Sequence, residues 1–164
     1  MNPVLMDYCC FGKRAFMALF LLSAYGCSTS SPCWQGERIA AAPPFGSARV
    51  FLSPLNQYSG YELEFVHSGE GLKLYMNVFG LEIPADPLDE SNSRVFISFK
   101  DHSYTFSAQR FIGGQRLLIP LHVQNEIIET LQQGQSVYIQ VGRYEANIYP
   151  NEFLQTFRRM IGQP

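Results

Sequence analysis

The chain has 164 residues, 46% of them hydrophobic and 16% charged, and a formal net charge of −2. That length suits one domain with a real core, and the composition excludes a disordered polar chain. The near-neutral charge gives no basis for nucleic-acid binding, which needs Lys and Arg concentrated on one face.

The N-terminal stretch differs from the rest. Lys13 and Arg14 precede an apolar run from Ala15 to Ala24, and Tyr25, Gly26 and Cys27 follow. A basic end, a short apolar core and small residues at a cut site make a secretory signal over residues 1–26. The run is shorter than the ~20 residues that span a bilayer, so a transmembrane anchor is the weaker reading. Met6 is an alternative start that would give a leader of more usual length. Cys9 and Cys10 read as discarded leader residues, because a metal pair needs a spacer and further ligands.

The segment Leu22, Ser23, Ala24, Tyr25, Gly26 and Cys27 resembles the lipobox of bacterial lipoproteins. The resemblance implies a diacylglycerol thioether (and so palmitate-type acylation) on Cys27, cleavage just before it, and acylation of the new amine. Ala24 stands where that family usually has Leu, and Tyr25 where a small residue is usual. Ala24 and Gly26 also suit the ordinary signal peptidase, so both enzymes would cut between Gly26 and Cys27. Only the fate of the Cys27 sulfur differs. Ser28, and not Asp, follows Cys27, and the family's sorting habit then implies the outer membrane. With Cys27 acylated, Cys33 is a lone thiol in an oxidising compartment; otherwise the two close a small loop.

Residues 27–47, rich in Ser, Ala and Pro, read as a lipid-anchored tether, with Trp34 and Ile39 docking back onto the domain. Residues 48–164 read as a β-rich globular domain. Its first strand signal is Arg49 to Leu52. A hairpin follows from Tyr61 to Phe79 around Ser68 and Gly69, pairing Phe65 with Leu72, Leu63 with Leu74 and Glu64 with Lys73. A second runs from Arg94 to Ala108 around Asp101 and His102, pairing Phe99 with Tyr104, Ile97 with Phe106 and Val95 with Ala108. Leu117 to Ile119 is a further strand signal. Leu121 to Gln133 reads as a helix stopped by Gly134. A third hairpin runs from Val137 to Ile148 around Gly142 and Arg143, with Gly142 at the first position of a II′ turn. Asn151 is the expected cap of a last helix carrying Phe153, Leu154, Phe157 and Ile161 on one face. About eight antiparallel strands with two short helices give a mainly β sandwich or barrel. The ending, a helix, a strand pair and a Phe-rich helix, is similar to the invasion-associated locus B family of envelope proteins, in element order alone. The predicted core is Leu63, Phe65, Leu74, Ile97, Phe106, Ile139 and Phe157.

Chemical candidates are weak. His67, His102 and His122 sit at two hairpin ends and a helix start, where polar residues are ordinary. No Gly-x-Ser-x-Gly elbow and no His-Glu-x-x-His is present. The acidic loop of Glu82, Asp86, Asp89 and Glu90 lacks the spacing and central Gly of a calcium loop, and reads as a solvated turn around Pro84 and Pro87. Glu62 and Glu64 share a strand face, which reads as solvated. Arg158 and Arg159 answer a helix dipole. No catalytic, metal or cofactor site is assigned. Tyr75 and Phe79 alternate with Leu74, Met76 and Val78, so they fall on the polar side of their hairpin as candidate partner contacts. The expectation is a non-enzymatic cell-envelope domain, held to the membrane through Cys27 and bound to another envelope protein. A small periplasmic hydrolase and a carrier of an apolar ligand are the alternatives.

Overall fold

The computed structural model describes residues 33–39, 46–56 and 58–162. The leader and Cys27 lie outside the described residues. The described chain runs β1 (Trp34–Ile39), β2 (Ser47–Leu52), β3 (Tyr61–Ser68), β4 (Gly71–Val78), β5 (Asn92–Ser98), β6 (Ser103–Arg110), β7 (Arg116–Ile119), α1 (Leu121–Gln132), β8 (Val137–Val141), β9 (Tyr144–Ile148) and α2 (Phe153–Met160). No described helix is long and apolar enough to cross a membrane.

The described residues are mainly β, with antiparallel strands and two short helices, as the alternating pattern predicts. All nine strands form one sheet in the order β1-β2-β3-β4-β7-β6-β5-β8-β9, which is not closed into a barrel. The ninth strand is β1, formed within the stretch read as tether. Its Trp34 is buried, at 3% exposure, as expected of a residue docking onto the domain.

The sheet bends over itself. Tyr61 of β3 is buried, and its hydroxyl donates to the Ile139 carbonyl of β8 at 3.3 Å, with the Ala146 carbonyl of β9 at 3.5 Å. Those strands stand far from β3 in the sheet order, so the two halves face each other as the layers of a sandwich do. Burial pushes the Tyr61 phenol well above its ordinary value. The predicted core residues Leu63, Phe65, Leu74, Ile97, Phe106, Ile139 and Phe157 are all buried between the halves and the helices.

Helix α1 buries Val123, Gln124, Ile127 and Leu131 along one stripe. It ends as predicted at Gly134, whose φ of 76° suits a residue without Cβ. Helix α2 differs from expectation at its start. Glu152, not Asn151, holds the cap position, at φ 60° and with no side-chain cap bond. Tertiary packing replaces the cap: Phe153 and Phe157 bury against Phe65, with ring centroids 5.6 Å away in each case, and Trp34 stands 4.8 Å from Phe153. Gly36 permits this approach, because a Cβ there would lie 3.1 Å from the Thr156 side chain.

Two hairpins are shifted from their expected registers by two residues. Leu63 faces Met76 and Phe65 faces Leu74, so the first loop is Gly69-Glu70, and Glu64 faces Tyr75 and not Lys73. In the second, Val95 faces Phe106 and Ile97 faces Tyr104, leaving a loop from Phe99 to His102. A shift of two keeps every side chain on its face, so the core survives the error. The third hairpin has its expected register, Val137 with Ile148 and Val141 with Tyr144. Its Gly142 carries φ 55°, the positive value that a II′ turn requires first.

Leu74 is fully buried. Leu74→Ala should cost about 2–5 kcal/mol in urea denaturation, while Lys73→Ala on the other face of the same strand should stay within about 0.5 kcal/mol.

Candidate functional site: the outer face of β2, β3, β4 and β7

Residues that alternate away from the core form an outer face. Registers place Glu37 beside Arg49, Phe51 beside Glu64, Glu64 beside Tyr75, Glu62 beside Asn77, and Asn77 beside Arg116. Glu64 breaks the rule that this face is wet: it is 6% exposed. A buried carboxylate needs compensating partners. It has them in Arg49 at 3.2 Å, Arg116 at 3.2 Å and the Asn77 amide at 3.1 Å. The same Asn77 amide donates to Glu62 at 3.0 Å. Arg49 extends the network to Glu37 at 2.8 Å.

Aromatic rings hold the two arginines flat. The guanidinium carbon of Arg49 lies 4.5 Å from the Phe51 centroid, and that of Arg116 lies 3.9 Å from the Tyr75 centroid. Each arginine therefore meets a carboxylate and a ring at once, which fixes both planes. Tyr75 is half-buried, and its other neighbour is Phe111, 6.1 Å away. Phe79 is 55% exposed, beyond the end of β4, in a recess with Ser53, Pro54 and Glu62. Of the two predicted contacts, Phe79 is open, and Tyr75 shows one side of its ring under Arg116. Sequence reasoning did not select Arg49, Phe51, Arg116 or Glu37. Their signal is scattered over three strands, β1, β2 and β7, and becomes a cluster only once the strand order is known.

The other candidates are dispersed. His102 lies 2.6 Å from Glu126 of α1, not against its neighbour Asp101. Tyr104 donates to the second oxygen of Glu126, and burial together with that bond raises the Tyr104 phenol. This cluster fastens the β5–β6 loop to α1. His67 and His122 are exposed on β3 and α1. Among the described residues no group of three His, Cys, Asp or Glu is placed to hold a metal. A polar groove of about 400 Å³ runs between β1 and α2, and a cleft of about 300 Å³ separates the 53–60 loop from β9. No family model, curated protein or solved structure matches the chain.

The acidic loop is built from its own carboxylates. Asp86 accepts from Arg94 at 2.6 Å and from the Leu88 amide at 2.9 Å. Asp89 accepts from the Ser91 hydroxyl at 2.6 Å, the Ser91 amide at 3.0 Å and Asn92 at 2.6 Å. Glu82 pairs with Arg110 at 2.8 Å. The Arg94 bond holds Asp86 below the usual carboxylate range, and the Ser91 bonds do the same for Asp89. A lowered folded value means that stability is complete above the unfolded value, about 3.9, and is lost as pH falls through the folded ones. The melting temperature should therefore fall below that pH. The Asp86→Asn, Asp89→Asn double variant should show a shallower fall in a pH series of thermal melts.

The outer network generates a second test. A double-mutant cycle on Glu64→Gln and Arg116→Ala should return a coupling of about 1 kcal/mol or more, as bonds to charged groups do. Additive effects in chemical denaturation would show that the pair is not coupled.

Proposed function

We propose that this chain is a lipid-anchored cell-envelope protein, held through Cys27 at the outer membrane, whose sheet domain binds a protein partner without catalysis. The order of the leader carries this reading: Lys13 and Arg14, an apolar run, then Gly26 and Cys27 ahead of a β-rich domain. Ser28 supports the outer-membrane address through the lipoprotein resemblance. The outer face supports the binding role. It presents Arg49, Arg116 and Tyr75, the residue types that dominate protein interfaces, and Phe79 stands open at its rim. The arginines are already oriented by rings and carboxylates, so little side-chain freedom is lost on docking.

Intact-mass analysis of the membrane fraction tests the anchor. The expected mass begins at Cys27 and carries acyl chains, and Cys27→Ser should release the protein into the soluble fraction. A mature mass without lipid overturns the anchor and leaves secretion standing. For the partner, recovery by affinity capture from membranes should drop severalfold in Phe79→Ser and in Tyr75→Ser, since anchors of this type cost ~2 kcal/mol or more when truncated. Phe79→Ser should leave the melting temperature nearly unchanged, because its ring is mostly exposed. Unchanged recovery in both variants overturns the proposed face.

A further inference from the structure

We infer that the sheet edge carrying Leu55, Tyr58, Leu81, Phe111 and Ile112 faces the lipid bilayer and docks on it. The inference rests on the proposed anchor at Cys27, and adds an orientation and a second surface. Strand registers make this edge continuous. Trp34 pairs with Leu52, Leu52 with Leu63, Tyr61 with Val78, Asn77 with Arg116, and Arg110 with Leu117. The start of β1 is thus level with the β2–β3 loop, the beginning of the β4–β5 loop and the β6–β7 turn.

The last two are locked together. The Val78 amide donates to Gln115 at 2.9 Å, the Ile83 amide to Gly114 at 2.7 Å, and the Gln115 side chain to Gly80 at 3.0 Å. What they hold outward is largely apolar, beside Glu82, which pairs with Arg110, and with Asp89 and Glu90 farther along the β4–β5 loop. Ile112 is fully exposed at 106%, Leu81 is 65% exposed, and in the β2–β3 loop Leu55 and Tyr58 are 78% and 80% exposed. The turns at the opposite edge present Glu70, Lys100, Asp101 and His102 to solvent. Leu121 is the large apolar side chain exposed near them, at the start of α1. The asymmetry sets one edge apart as a surface for an apolar medium.

Chain length says which medium. Seven peptide units join Cys27 to Trp34, and at about 3.3–3.6 Å each they reach no more than about 25 Å. With Cys27 acylated, the Trp34 edge stays within that distance of the lipid. An eight-residue strand such as β3 is about 26 Å long, so in an upright domain the opposite edge stands that much farther away. The apolar edge is the one the anchor draws in.

The mature, membrane-extracted protein reconstituted in vesicles of phosphatidylethanolamine and phosphatidylglycerol with brominated acyl chains provides the test. Ile112→Trp and Glu70→Trp report the two edges, with the unsubstituted protein subtracted for buried Trp34. Intact mass is read on the same samples. Acylated protein should show quenching about twofold or more stronger at position 112 than at 70, as side chains seated at the headgroup boundary do. Leu81→Trp should agree with Ile112→Trp. Equal quenching at both edges, or none at 112 and 81, in acylated protein overturns the docking and leaves the anchor intact. A mass without lipid overturns the anchor, and the inferred orientation with it.

Discussion

An antiparallel sheet can leave one face in water but must cover the other, and nine strands in one sheet make a long apolar face. The rest of the domain answers that demand. The sheet bends until β3 meets β8 and β9, and the buried Tyr61 hydroxyl finds backbone carbonyls there as partners. The remaining opening is covered by α1 and α2. Helix α2 has eight residues and no side-chain cap, too little for independent stability. Its place is fixed by Phe153 and Phe157 in a cluster with Trp34 and Phe65, where tilted and edge-on ring pairs add about 0.5–1.5 kcal/mol each beyond area burial. Trp34 completes the arrangement by donating its indole N–H to the Tyr149 carbonyl at 3.0 Å.

The outer face follows from the same alternation. Each core residue on a strand forces its neighbours outward, so Glu64 has to leave the core between Leu63 and Phe65. A lone carboxylate on a solvated face needs no partners. Glu64 is covered by two arginines and two aromatic neighbours, and has become the centre of a polar network. Such a network fixes side-chain directions more than it adds stability, because desolvation offsets much of the ionic attraction. Fixed directions on an outward face matter most where something has to fit against them.

How much of this was legible in the sequence depended on range. Period-two alternation is local, so it identified the buried set even where the registers were two residues off. Turn chemistry decided which registers came out right. Gly142 marks its turn alone, whereas Ser68, Gly69 and Gly71 offer competing corners, and Phe99 to His102 makes a longer loop than Asp101 and His102 suggest. β1 escaped notice because Gly36, Glu37 and Arg38 do not read as a strand; its pairing with β2 and its packing on α2 create it. The Glu64 network was invisible because Arg49 and Arg116 are far apart in the chain and reach Glu64 only through the β2–β3–β4–β7 order. The apolar edge was equally hidden, since Leu55, Leu81 and Ile112 look like scattered loop residues until the registers align them.

The two proposed surfaces are compatible, and with the proposed anchor at Cys27 a modest apolar edge would suffice. A fully buried Leu or Ile side chain is worth about 1.5–3 kcal/mol, and an interfacial side chain only part of that. Leu55, Leu81 and Ile112 would therefore bind a bilayer weakly from free solution. The proposed acyl anchor, seven residues away, would make the encounter intramolecular, at an effective concentration in the millimolar range for a short connection. Weak contacts then select an orientation without having to supply the affinity. The proposed orientation would put the ends of β2, β3, β4 and β7 at the lipid and leave their broad outer face, with Arg49, Arg116 and Tyr75, turned along the membrane. On that proposal, a membrane-bound partner would meet a face presented in that way by diffusion in two dimensions, with its register to the bilayer already set.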